Sequence, residues 1–184
     1  MALTENRDVA LGTPCPDFRL PTVDGGTVAR DDVQEPVLAV MFICNHCPYV
    51  QAVEDRLAAL HREYDGRGVR LVGICSNDPT DYPDDAPAKL LGRWRSKRFG
   101  FPYGVDATQD VARSFGAMCT PEFFVYGPDR RLAYHGRLDD SWRDPAQVTR
   151  RELADAIDAL LAGRAPAREQ IPSMGCSIKW RRAS

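Results

Sequence analysis

The chain has 184 residues, a net charge of -2 and a charged fraction of 27%, values typical of one soluble globular domain. We therefore treat residues 1–184 as a single domain, and the balanced charge argues against a nucleic-acid partner. The N-terminal residues show no basic leader followed by an apolar stretch, and no apolar run approaches the ~18 residues that a membrane span needs. The sequence thus predicts a cytoplasmic protein with no membrane partner.

The first part of the chain predicts a loop-rich N-terminal extension followed by a buried strand. Residues 1–36 carry several prolines and a Gly25-Gly26 turn that suits a short β-hairpin. Residues 37–43 are continuously apolar, rich in branched side chains and too short for a helix. They predict a central strand that is buried on both faces. This strand ends directly at Cys44.

A helix and a second strand follow. Apolar residues recur at spacings of three and four from Val50 to Tyr64, which predicts one amphipathic helix. Residues 69–75 predict the second strand, and the acidic, proline-rich residues 76–87 predict a loop. A strand, a helix and a strand within about forty residues form a βαβ unit, which indicates parallel strands.

The second half of the chain predicts helices and one more β-hairpin. A Gly-Pro-Asp-Arg turn between two apolar runs is typical of an antiparallel hairpin. The predicted elements are a helix over 88–98, a short helix over 108–115 with Thr108 as its N-cap, hairpin strands over 122–126 and 131–135, a final helix over 147–162 and a tail over 164–184. This order predicts an α/β protein with a mixed sheet and helices on both faces.

Six cysteines are present, and cytosolic thiols are kept reduced, so we expect no static disulfide framework. Cys44 and Cys47 form a Cys-x-x-Cys pair at the predicted junction of strand and helix, a pattern typical of redox or metal chemistry. A helix N-terminus stabilises a thiolate, so we expect Cys44 to be an exposed nucleophile with a lowered pKa and Cys47 to be the resolving thiol. The imidazole of His46 would add positive charge beside the sulfur. This chemistry needs no cofactor besides the cysteine pair.

Two other interpretations of the pair stay open at this point. Buried cysteines are common in protein cores, so both could be structural. A zinc site would need two further ligands, for which the sequence offers His61, His135, Cys75 and Cys176. Because no second Cys-x-x-Cys is present, the sequence favours redox chemistry and predicts no metal.

Several segments resemble the thioredoxin-like redoxin superfamily, which includes alkyl-hydroperoxide reductases and thiol-specific antioxidants. The most specific are Cys-Asn-His-Cys-Pro-Tyr-Val and the tail. The matching segments are 12–18, 42–50, 76–78, 119–121, 136–140 and 172–180. The resemblance implies a thioredoxin fold, disulfide exchange with protein or small thiol partners, and a cis-proline that faces the dithiol. The supporting residues are then Asn45, His46, Thr120 and Pro121.

The chain departs from this superfamily at two places near the dithiol. Relatives often carry a buried acid that takes a proton from the resolving cysteine. The central strand has no acid, so Asp78 and Glu122 are the two candidates. Peroxiredoxins place Pro and Thr before their peroxidatic cysteine, and alignment on Cys47 puts Val40 and Cys44 at those positions. The peroxidase signature is therefore incomplete.

The other four cysteines divide into candidates for redox chemistry and for packing. Cys119, beside the expected cis-proline, is either a third redox thiol or a packing residue. Cys176 in the tail either folds back to exchange with Cys44 or has no redox role. Cys15 and Cys75 are interpreted as structural.

Four classes of function compete, of which a purely structural interaction domain ranks last. The leading prediction is dithiol–disulfide exchange. The alternatives are a thiol peroxidase, distinguished by peroxide consumption that survives loss of one cysteine, and a module that holds copper or zinc, distinguished by bound metal. Trp142 could line a groove for a partner chain or simply pack against its neighbours. The sequence leaves the partner, the net direction of exchange and the oligomeric state open.

Overall fold

The computed structural model describes residues 3–6 and 9–182, which form ten β-strands and five α-helices. The strands are β1 (Leu3–Glu5), β2 (Arg19–Pro21), β3 (Thr27–Ala29), β4 (Val37–Phe42), β5 (Val69–Cys75), β6 (Tyr103–Val105), β7 (Cys119–Thr120), β8 (Glu122–Tyr126), β9 (Leu132–Gly136) and β10 (Met174–Ser177). The helices are α1 (Pro48–Gln51), α2 (Glu54–Tyr64), α3 (Pro87–Lys97), α4 (Asp110–Phe115) and α5 (Glu152–Leu161). In this described part of the chain, no helix has the length and apolar character that a membrane span requires.

A five-stranded mixed sheet in the order β6-β5-β4-β8-β9 forms the centre of the molecule. β4 pairs in parallel with β5 and antiparallel with β8, and all six of its residues are buried. The prediction of a central buried strand is confirmed, because a strand covered on both faces requires a continuous apolar run. The two predicted hairpins are also present, as β2–β3 and β8–β9. The fold is therefore the predicted α/β arrangement.

Side chains alternate between the two faces of β4 and so contribute to two apolar cores. Met41 packs in the core that includes residues of α2 and α5 and also contains Cys44 and Cys47. Phe42 packs in the core that includes residues of α4 and the β2–β3 hairpin and also contains Cys15. The dithiol and Cys15 consequently lie in different cores, on opposite faces of the central sheet.

The sequence predicts no element in the tail, and the structure places β10 there, in a second sheet. β10 pairs antiparallel with β1 on one side and with β7 on the other, and its Cys176 stands opposite Thr120. The strand has only four residues and includes Gly175, so the alternation of Met174, Cys176 and Ile178 is too weak a local signal to predict it. The three-residue strands β1 and β6 escape prediction for the same reason.

The single helix predicted from Val50 to Tyr64 is interrupted. The N–H of Val53 binds the carbonyl of Val50, three residues back, and the φ of Val53, -111°, lies about 50° from the value of a regular α-helix. α1 and α2 are therefore separate helices. Both valines are buried, so the predicted apolar stripe continues across the break.

Two later helices differ from their predicted beginnings. The predicted Thr108 accepts a hydrogen bond from the first N–H of α4, that of Asp110, at 3.3 Å, while the buried carboxylate of Asp106 accepts from the next two, those of Val111 and Ala112. Thr108 and Asp106 thus cap this helix together. The final helix begins at Glu152 rather than at 147. The residues before it are occupied by a separate turn of 3-10 helix, Pro145–Gln147.

Gly73 on β5 offers a test of the packing beside the dithiol. A Cβ at this position would lie 2.9 Å from Phe101 Cε2 and 3.1 Å from Tyr103 Cδ2. Because ring atoms in a packed core yield little, we expect Gly73→Ala to lower the free energy of unfolding by about 1–3 kcal/mol. The measurement is urea denaturation. Gly92→Ala, on an exposed position of α3 with open space around it, is the control and should raise this free energy by about 0.5–1 kcal/mol.

Candidate active site

The Cys-x-x-Cys pair lies where β4 leads into α1, as the sequence predicts. Cys47 is the N-cap of α1 and Pro48 is the first helical residue. The N–H of Val50 binds the carbonyl of Cys47 at 3.0 Å and also faces its sulfur. The N-terminus of the helix therefore acts on the second cysteine, whereas the sequence assigned this effect to Cys44.

Both sulfurs of the pair are buried. Cys44 exposes 1% of its surface and Cys47 none, so the predicted exposure of Cys44 is wrong. Thr120 lies against both: its Oγ1 is 3.3 Å from Cys44 Sγ, and its carbonyl oxygen accepts a hydrogen bond from Cys47 Sγ at 3.1 Å. The Thr120–Pro121 peptide bond is cis, which confirms the expectation from the resemblance.

The two thiols differ in acidity. The hydrogen bond from the Cys44 thiol lowers the pKa of Cys47 against the effect of burial, and a hydrogen bond from Cys176 assists it. Burial, the hydrogen bond to Cys47 and the negative charge of Asp85 raise the pKa of Cys44 well above its usual range. The carbonyl of Thr120 favours a protonated Cys47 and partly opposes this order. These directions place the more acidic thiol at Cys47, whereas the sequence predicts it at Cys44.

The carboxylate of Asp85 binds the loop that carries the dithiol. Its Oδ1 accepts hydrogen bonds from the N–H of Asn45 at 2.7 Å and of His46 at 3.2 Å. Its Oδ2 accepts from His46 Nδ1 at 2.5 Å and from Asn77 Nδ2 at 2.8 Å. Burial raises the pKa of Asp85, but the hydrogen bonds from His46 and Asn77 outweigh burial and hold this pKa below its usual range.

Neither of the two acids proposed from the sequence, Asp78 and Glu122, occupies the position that Asp85 holds beside the dithiol. Asp78 is partly exposed and bonds within its own turn. Glu122 is buried, but it pairs with His135 Nε2 at 2.7 Å and accepts from two backbone N–H groups just before Thr120. Sequence reasoning missed Asp85 because its loop is rich in acids, and nothing local distinguishes the one that turns inward.

His46, which was expected to add positive charge beside the sulfur, is hydrogen-bonded through Nδ1 to the carboxylate of Asp85. Its ring also packs on Tyr82, with the centroids 4.6 Å apart. Cys44 Sγ, a ring nitrogen of His46 and a carboxylate oxygen of Asp85 lie within 4.8 Å of one another and could act as metal ligands. A tetrahedral zinc needs a fourth ligand. The candidate His135 is already engaged in the other buried ion pair.

All six cysteines are buried, and no disulfide joins them in the part of the chain that the structure describes. Cys176 on β10 has its sulfur in hydrogen-bond contact with Cys47. The sequence suggests Cys44 as the partner of Cys176. In the structure Cys176 contacts Cys47 instead. Cys119 faces two backbone carbonyl groups at 4.0 Å, and burial raises the pKa of its thiol.

A cleft of about 270 Å³ opens beside Pro121. Phe123, Leu138 and Trp142 are among the apolar side chains that line it. Trp142 is 36% exposed, and its ring lies 4.4 Å from that of Tyr49. Trp142 therefore lines a cleft and also packs against a neighbouring ring, and a partner chain in this cleft stays a prediction.

The mixed sheet, and a cysteine pair that faces a cis-proline, are the features of a thioredoxin-like redoxin. The family model described as "AhpC/TSA family" matches residues 11–135. The chain therefore belongs to the AhpC/TSA family, whose members are redoxin-type oxidoreductases.

Two solved structures are similar over the whole chain. An uncharacterized conserved protein from Geobacillus kaustophilus has a TM-score of 0.95 and 40% identity, with 100% of this chain and 99% of that chain covered. The hypothetical protein SMc02350 from Sinorhizobium meliloti 1021 has a TM-score of 0.94 and 38% identity, with 98% and 100% covered. Protein FixW from Rhizobium leguminosarum is 23% identical over 134 residues, which are 70% of this chain but only 61% of FixW.

More distant structures share the fold alone. A secreted Mycobacterium tuberculosis disulfide oxidoreductase homologous to E. coli DsbE has a TM-score of 0.58 and 16% identity, with 79% of this chain and 95% of that chain covered. Peroxidoxin BcpB from Mycobacterium tuberculosis has a TM-score of 0.56 and 22% identity, with 67% and 82% covered. The fold therefore accommodates both disulfide and peroxide chemistry, and the residues of the site must discriminate between them.

The charge of Asp85 should be measurable in the acidity of Cys44. In a Cys47→Ser background, we expect Asp85→Asn to lower the pKa of Cys44 by about 1–2 units, because a nearby negative charge opposes formation of the thiolate. The measurement is the pH dependence of alkylation at the Cys44 peptide, followed by mass spectrometry. Asp84→Asn, an exposed acid one residue earlier, is the matched control and should not shift this pKa. An equal response to both substitutions would contradict the assignment.

Proposed function

We propose that the protein is a thiol–disulfide oxidoreductase in which Cys44 and Cys47 alternate between a dithiol and a disulfide. The observation that carries this proposal is that both sulfurs lie buried against Thr120, Cys44 Sγ at 3.3 Å from its Oγ1 and Cys47 Sγ at 3.1 Å from its carbonyl oxygen. A disulfide requires two cysteines that are close and suitably directed. The sulfurs of Cys44 and Cys47 are close. The AhpC/TSA family membership supports redox chemistry in general.

In the reducing direction, Cys44 attacks a disulfide of the partner. Its thiol proton first passes to the Cys47 thiolate across their hydrogen bond. The Cys44 sulfur then bonds to one partner sulfur, the partner's S–S bond breaks, and the departing thiolate takes the proton from Cys47. The restored Cys47 thiolate attacks the Cys44 sulfur, forms the Cys44–Cys47 disulfide and releases the second partner sulfur, which takes a proton from water. The partner gains two electrons and the protein loses two.

The surroundings of the two sulfurs support this division of roles. Cys47 is enclosed by Cys44, Cys176 and the carbonyl of Thr120, which suits a resolving thiol that reacts inside the protein rather than with the partner. Because Cys44 is buried as well, a partner must displace part of its cover before attack. We propose protein or small disulfides as partners, and the cleft beside Pro121 is the surface on which a peptide would rest.

A thiol peroxidase is the second candidate, and the family membership favours it. In that reaction a cysteine thiolate attacks a hydroperoxide, and the O–O bond breaks to leave a sulfenic acid and an alcohol or water. The lowered pKa of Cys47 would suit such a nucleophile. Its enclosure by Thr120 and the incomplete peroxidase signature, with Val40 and Cys44 at the Pro and Thr positions, argue for disulfide exchange instead.

Titration in glutathione redox buffers, followed by differential alkylation and peptide mass spectrometry, tests the proposal. We expect a reversible Cys44–Cys47 disulfide with a midpoint potential above the roughly -270 mV of thioredoxin, because a stabilised Cys47 thiolate favours the reduced form. Cys44→Ser and Cys47→Ser should each abolish this disulfide and the catalysed reduction of a disulfide substrate. Cys15→Ala, in the other core, is the control and should retain both.

The proposal is wrong if Cys44 and Cys47 never pair while the protein stays folded. Rapid peroxide consumption that survives the loss of either cysteine alone would then assign peroxidase activity. Stoichiometric zinc or copper in freshly purified protein would instead assign a metal-holding module built on Cys44, His46 and Asp85.

A further inference from the structure

Three sulfurs meet at Thr120. The sulfur of Cys176 is in hydrogen-bond contact with Cys47 Sγ, and the backbone N–H of Cys176 also faces that sulfur. Cys44 contacts the same Cys47 sulfur. Cys47 therefore has a candidate disulfide partner in each of two segments that are far apart in the sequence.

The contact follows from the register of β10, which other residues hold in place. Cys176 stands opposite Thr120, whose carbonyl accepts from Cys47 Sγ. A Cβ at Gly175 would overlap this carbonyl, so only glycine permits the close approach of the two strands. Beyond the strand, the N–H of Lys179 donates to Asn77 Oδ1 at 2.8 Å. The tail is thus bound on both sides of the cysteine.

We infer that Cys176 is a third catalytic thiol, which exchanges with the Cys44–Cys47 disulfide to give a Cys47–Cys176 disulfide. This inference rests on the proposed function. The sulfur of Cys176 attacks Cys47 Sγ, the bond between Cys47 and Cys44 breaks, and Cys44 leaves as a thiolate. The proton of the Cys176 thiol passes to Cys44. No electrons enter or leave, so the exchange needs no further oxidant or reductant.

The exchange changes which cysteine is a free thiol, while the protein still contains one disulfide. Cys44 returns to the thiol form, and the disulfide then links α1 to β10. Cys119 provides a structural contrast, because it lies on the strand next to β10 and is equally buried, yet its sulfur faces backbone carbonyl groups. Proximity to β10 alone therefore does not make a cysteine a partner of Cys47.

Disulfide mapping in three full-length proteins tests the inference. Wild type, Cys44→Ser and Cys176→Ser are oxidised with glutathione disulfide, alkylated, digested and analysed by mass spectrometry. Cys44→Ser should form Cys47–Cys176 as its major disulfide, and Cys176→Ser should form Cys44–Cys47. Wild type should contain both, in a ratio that does not change with the glutathione redox ratio, because their exchange is internal and electron-neutral.

The outcomes separate the inference from the function on which it rests. If Cys176→Ser forms Cys44–Cys47 but Cys44→Ser retains only a glutathione adduct on Cys47, the inference is overturned and the proposed function stands. If Cys176→Ser forms no internal disulfide, the proposed function fails. Pairing of Cys47 with Cys119 as abundant as its pairing with Cys176 in the Cys44→Ser protein would also overturn the inference.

A second substitution tests the register directly. In the Cys44→Ser background, Gly175→Ala should cause a loss of most of the Cys47–Cys176 disulfide, because the added Cβ forces β10 away from Thr120. In the Cys176→Ser background, the same substitution should leave Cys44–Cys47 formation intact, which also shows that the protein is folded. Undiminished Cys47–Cys176 formation in the Gly175→Ala protein would contradict the inference.

Discussion

The carboxylate of Asp85 accepts four hydrogen bonds in a position almost closed to water. Burying a carboxylate costs several kcal/mol of folding free energy unless hydrogen-bond donors replace its hydration. The native fold must therefore hold all four donors within hydrogen-bond distance of Asp85. Two of them are the backbone N–H groups of Asn45 and His46, between the cysteines. The backbone that separates Cys44 from Cys47 is therefore tied to a turn some forty residues later, and the contact between the sulfurs depends on this tie.

A second buried carboxylate has the same role on the facing side of the site. Glu122 accepts from the N–H groups of Met118 and Cys119 and pairs with His135. It thereby holds the segment that leads to Thr120, which contacts both sulfurs. The dithiol is thus enclosed between two segments, each fixed by an acid with an imidazole partner and two backbone donors. Charge-assisted hydrogen bonds of this kind are stronger than neutral ones and make the arrangement stiff.

The elements that the sequence predicts are those whose structure is determined by local sequence patterns. The apolar run of β4, the stripe along α2 and the turns of the hairpins each carry their own signal. β10 becomes a strand only because β1 and β7 flank it, and Asp85 differs from the neighbouring acids only in the donors that it meets. Spacing predicts the Cys44–Cys47 pair, but it places the more acidic thiol at Cys44. The helix begins at the second cysteine, and burial dominates at the first.

The strand over the dithiol has a consequence for biosynthesis. Cys44 and Cys47 are translated early, whereas β10 follows roughly 130 residues later. At about 5–20 residues per second, the two thiols wait on the order of ten seconds before β10 can pair with β7. On the ribosome the nascent chain therefore presents an uncovered dithiol to the oxidants and thiols of its surroundings. Reactions of these two thiols during translation therefore precede the closure of the site by β10.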